Sequence, residues 1–72
     1  MFHEELKTVL ANVNKTHLSE AIGCHRDRMA RWLRGEQVPT VALLVRMCQY
    51  LYTDQWEVAY IRWSILLEQQ QQ

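Results

Sequence analysis

The chain reads as an all-α, compact five-helix domain, and three observations predict this. Apolar residues recur three and four apart along most of its length, and helix-capping Asn and Thr or helix-stopping Gly residues fall between those stretches. No segment alternates with the period of two that a strand requires. At 72 residues there is room for one domain, and a domain so short buries only roughly 60% of the surface its unfolded chain exposes. Residues 1–68 are expected to fold, with the last four glutamines frayed. With 49% hydrophobic and 22% charged residues, the composition is globular rather than disordered.

The first helix is expected from about Phe2 to Val13. Leu6, Val9, Leu10 and Val13 follow the i, i+3, i+4, i+7 spacing of one face, and Glu4 and Glu5 suit the positive end of the helix dipole. Asn14 caps the second helix well, although Thr16 competes for that role. Leu18, Ala21 and Ile22 form its inward face, and Gly23 ends it because glycine adopts positive φ without a Cβ penalty.

After Cys24 a third helix carries Met29, Trp32 and Leu33 on its buried side, and Gly35 terminates it. Glu36-Gln37-Val38-Pro39 is a loop, after which Thr40 caps a fourth helix bearing Leu43, Leu44, Met47, Cys48 and Leu51. The next break is Tyr52-Thr53, where Thr53 is expected to cap a fifth helix from Asp54 to about Glu68.

Several chemistries are set aside. No apolar run approaches the ~18–20 residues of a membrane span, and the start, MFHEELK, lacks signal-peptide character. The expected location is the cytoplasm, with no membrane association. There Cys24 and Cys48 are expected as small buried thiols rather than a disulfide. No C-x-x-C pair exists, His3, His17 and His25 have no metal-ligand spacing, and Ser19 and Ser64 lack a base and an oxyanion arrangement. The expectation is no catalysis, no metal and no cofactor.

The charge pattern is more informative. Formal net charge is zero, yet Arg26, Arg28, Arg31 and Arg34 put four of the eight basic residues into nine positions, with His25 at their head. A solvated face normally mixes signs, whereas here Asp27 is the sole acid. Cations so concentrated on one short helix point to a polyanion, and the expected one is double-stranded DNA.

The segment from Asn14 to Gly35, NKTHLSEAIGCHRDRMARWLRG, resembles the helix-turn-helix of the Cro/C1-type (XRE-like) DNA-binding regulators of phages and mobile elements. Leu18, a small residue at Ser19, Ile22, Gly23, an apolar residue at Cys24, Met29, Trp32 and Gly35 carry the resemblance, and Pro39 with Leu43, Leu44, Met47 and Leu51 extends it through the fourth helix. The first helix fits by pattern only. Ser19 must be small where helices two and three cross, and Gly23 supplies the sharp turn. The apolar residues then fix the crossing angle so that helix three projects toward a major groove.

The resemblance implies a lambda-repressor-like fold and a set of DNA-binding residues. Lys15, at the start of the second helix, matches a phosphate contact. His25, Arg26, Asp27, Arg28 and Arg31 match positions reading base edges or adjoining phosphates, and Arg34 and Gln37 match backbone contacts. Arginine's fork suits guanine, at about 1–3 kcal/mol of discrimination per good bidentate contact. Asp27 either accepts from cytosine or holds Arg31 one turn later. Three residues depart from the pattern. His25 stands where Ser or Thr is usual, which points it toward a phosphate; Glu36 occupies a loop position that is often basic; and Cys24 replaces Val or Thr.

Helix five is apolar on two sides: Trp56, Ala59, Tyr60, Trp63 and Leu67 along one, Val58, Ile61 and Ile65 along another. Either both pack on the small core or one meets a second subunit. The dimer contact is preferred, with Trp56, Tyr60, Trp63 and Leu67 as its residues. The expected function is therefore that of a homodimeric transcriptional repressor on a palindromic operator. A HigA-like antitoxin that also holds a toxin, or a protein-interaction module that binds no DNA, are the alternatives.

Overall fold

The computed structural model describes residues 1–70, the side chain of Gln70 excepted. Five α-helices follow in order: α1 (Phe2–Leu10), α2 (Lys15–Ile22), α3 (Arg26–Leu33), α4 (Val41–Tyr52) and α5 (Trp56–Gln70). A single 3-10 turn, Thr53–Gln55, joins the last two, so α4 and α5 form one helical run interrupted at Thr53. No strand occurs among the described residues, and no helix there is long and apolar enough to cross a membrane.

α1 buries Phe2, Leu6 and Leu10 and stops at Leu10, short of the expected Val13. The backbone tightens ahead of Asn14: the Ala11 N–H donates to the Thr8 carbonyl and the Val13 N–H to that of Leu10, both i→i−3 bonds. Val13 still packs against the core from the connection. At the head of α2 the choice of cap falls to Asn14, whose Oδ1 accepts from the His17 N–H at 3.1 Å. Leu18, Ser19 and Ile22 are buried there, and the Ser19 hydroxyl donates to the Thr16 carbonyl at 2.9 Å. Ala21, expected inside, is exposed. At 100° per residue it lies on the far side of Leu18 from the Ser19–Ile22 side.

α2 and α3 end alike. Gly23 (φ +73°) and Gly35 (φ +77°) are both left-handed. Around each, two N–H groups fold back on the last turn: Gly23 to Glu20 and Cys24 to Ser19, Gly35 to Trp32 and Glu36 to Arg31. That double closure satisfies carbonyls the helices would otherwise leave open. The Arg46 guanidinium on α4 adds a bond to the Ile22 carbonyl at 3.2 Å.

α4 begins where Thr40 Oγ1 accepts from the Leu43 N–H, and it buries Leu43, Leu44, Met47 and Cys48. α5 then runs back along it, placing Tyr60 and Leu67 beside Leu44 and Pro39. Thr53 does not cap α5 as expected. It adopts φ +44°, ψ −98°, the one positive φ at a non-glycine residue among those described, and α5 starts only at Trp56. For a β-branched residue this conformation costs on the order of 1–3 kcal/mol. At the other end, Gln69 and Gln70, expected to fray, continue α5, and the last two glutamines lie outside the described residues.

Candidate nucleic-acid interface

α3 divides sharply between an anchored side and an open one. Met29 and Trp32 are buried, with Leu33 packed against the same core, whereas Arg26, Asp27, Arg28 and Arg31 are all exposed. Against the end of the helix lies His3 of α1. A Cβ added at Gly35 would stand 3.1 Å from His3 Nδ1, a buried nitrogen without a hydrogen-bond partner. The helix is thus held by its inner side and by its C-terminal cap, and its outer side is left to solvent.

His25 caps α3 itself. Its Nδ1 accepts from the Asp27 N–H at 3.2 Å, so the ring stands in for the hydroxyl usual at that position and is turned inward on its own helix. That bond needs Nδ1 without a proton. Nδ1 thus has a capping role, and Nε2 makes no hydrogen bond within the chain. The Asp27 carboxylate lies 3.6 Å from the same Nδ1 and makes no ion pair with Arg31 among the described residues.

Arg34 has a partner within the chain. Its guanidinium forks onto the Glu36 carboxylate, Nε to Oε2 and Nη2 to Oε1, across the turn at Gly35. The paired hydrogen bonds push the Arg34 pKa up and hold the Glu36 carboxyl below its ordinary value. Arg34 stays charged and is engaged by an acid of its own chain, in an exposed pair. Sequence reasoning flagged Glu36 as out of place but missed the pairing, whose signal is an acid two residues after an arginine across a helix-ending glycine.

Arg26, Arg28 and Arg31 make no ion pair with the protein among the described residues. Lys15 is half-buried at the start of α2, and Gln37 is exposed just past the C-terminal end of α3. The structure thus brings together three unpaired arginines on one short helix, with a lysine on its neighbour. Cys24, beside this surface, is a free thiol whose pKa burial raises against the opposing pull of Arg28. Cys48, in the core, is also free and is pushed up to about 11 by burial. No three His, Cys, Asp or Glu side chains gather as metal ligands among the described residues.

The expected dimer residues are used within the chain. Trp63 is 2% exposed, packed edge-on against Phe2 and Tyr52, and Trp56, Tyr60 and Leu67 are half-buried against the same core. Trp63 has no surface left for a second copy, whereas Trp56, Tyr60 and Leu67 keep part of theirs. The open side of α5 is the opposite one, where Val58, Ile61 and Ile65 are 69%, 59% and 49% exposed. Compared with models of protein families, with curated proteins and with solved structures, the chain matches none.

Proposed function

We propose that this chain is a sequence-specific, DNA-binding transcriptional regulator, a homodimeric repressor that lays α3 in the major groove of a palindromic operator. One observation carries the reading: α3 is clamped by Met29 and Trp32 and turns three exposed, unpaired arginines outward. A helix of eight residues is about 12 Å long, and the major groove is wide enough to admit it. Resemblance to the Cro/C1-type helix-turn-helix supports the same docking, with α2 and Lys15 against the phosphates.

In this docking Arg28 and Arg31 are the base-reading candidates and Arg26 adjoins them. Arg34, held by Glu36, contributes little charge to the backbone. The second copy that a palindrome requires finds uncommitted apolar surface on the outward side of α5. Half-sites would then be centred about one helical turn apart, roughly 34–36 Å.

The test is selection of bound sequences from a random duplex library, followed by titration of the winner across a salt series. Recovery of an inverted repeat whose affinity falls steeply with salt supports the proposal. Weak binding with no sequence enriched would remove it. It would leave the outward side of α5 as evidence for a protein-interaction module.

A further inference from the structure

The junction between α4 and α5 combines a strained residue, a very short connection and a helix that supplies much of the core. Thr53 holds φ +44°, a conformation that L side chains rarely adopt. The connection is a single 3-10 turn of three residues, and the sequence around it, Tyr50-Leu-Tyr-Thr-Asp-Gln-Trp56, holds no glycine or proline. Nothing there opposes a continuous helix from α4 into α5, whereas folding back requires the strain at Thr53. Short hinges under strain favour exchange of an element between copies.

An opened chain lacks the part of its core that α5 supplies. Without α5, Phe2 loses Trp63, and Glu5 on α1 loses the Arg62 guanidinium 2.7 Å away. A second copy's α5 carries the same side chains and restores both contacts. We infer that two copies of this chain associate by exchanging α5, with Thr53 relaxing as α4 and α5 straighten. This rests on the second copy of the reading above, puts exchange in place of docking on the outward side of α5, and is independent of whether the protein binds DNA.

The experiment uses the full chain carrying Arg62→Lys, which keeps the cation beside Glu5 and lets a carbodiimide join the two as an amide. Samples equilibrated at low and high protein concentration are coupled, separated by size under denaturing conditions, and mapped for the peptide linking residues 5 and 62. Exchange predicts that link in a covalent dimer, growing with concentration, and in a covalent monomer at high dilution. Finding it only in covalent monomer at every concentration overturns the proposal, including where the protein is dimeric by sedimentation, since that would mean docking without exchange. Thr53→Gly removes the strain from the closed form and disfavours the straight helix. The half-association concentration should therefore rise roughly tenfold or more. An unchanged value would overturn the role given to Thr53.

Discussion

The indole of Trp63 meets the ring of Phe2 edge-on, with centroids 5.8 Å apart and planes at 90°. Such pairs favour this geometry because the positive ring edge faces the negative ring face. Here the contact ties the C-terminal helix to the first residue of the N-terminal one, and Tyr52 closes on the same indole from the hinge at 6.0 Å. One buried aromatic residue thus joins α1, α4 and α5.

Trp63→Ala should therefore lower stability by about 3–5 kcal/mol, the usual cost of truncating a buried aromatic residue. That is much of what a small domain has. Ile61→Ser, on the outward side of the same helix, should stay within about 0.5 kcal/mol. Urea unfolding of each variant in dilute solution separates the two. Equal losses would mean that α5 is not seated as described.

On DNA, Arg28→Ala and Arg31→Ala should weaken operator binding and narrow the gap between operator and random duplex. Lys15→Ala should weaken both nearly equally and reduce the salt slope by about one, because a phosphate contact releases counterions without reading bases. If Lys15 proved to set specificity while both arginines were silent, the docking would be wrong.

Releasing Arg34 gives the opposite sign. Glu36→Gln removes the carboxylate that holds it, so DNA affinity should rise, with a salt slope steeper by about one. Acid should act in the same direction. The Glu36 carboxyl is lowered in the folded chain, so its pairing is complete above the ordinary carboxylate range and is lost only as pH falls through the lowered value. Both groups are exposed, so folding stability should barely move. Anisotropy titrations of wild type and Glu36→Gln at matched salt decide this, and equal slopes would show that Arg34 was never withheld.

Gly35→Ala should cost more than 1 kcal/mol, because the new Cβ must accept φ +77° and also meet the His3 ring at 3.1 Å. Adding His3→Ala relieves the second penalty and not the first, so the double variant should recover part of the loss relative to His3→Ala alone. Thermal melts of the four proteins give the coupling. Strict additivity would mean that the ring simply moves aside.

The all-α fold, the order of its helical stretches and most of their ends were legible in the sequence, because capping and periodicity are local. Asn14, Thr40, Gly23 and Gly35 act through bonds to residues at most five positions away. The arginine cluster of α3 was legible because it is local in sequence: Arg28 and Arg31, three apart, share a side of the helix, and Arg26 stands round the helix from both. Three matters waited for the tertiary structure. Which side of α5 is core depends on Phe2 and Tyr52, residues remote in sequence or across a chain reversal. Thr53's left-handed backbone is imposed by the need to fold α5 back on α4, against its own preference. The engagement of Arg34 by Glu36 required the path of the chain around Gly35. Local chemistry specifies helices and their caps, while pairings made across a turn or between helices exist only once packing has chosen the angles.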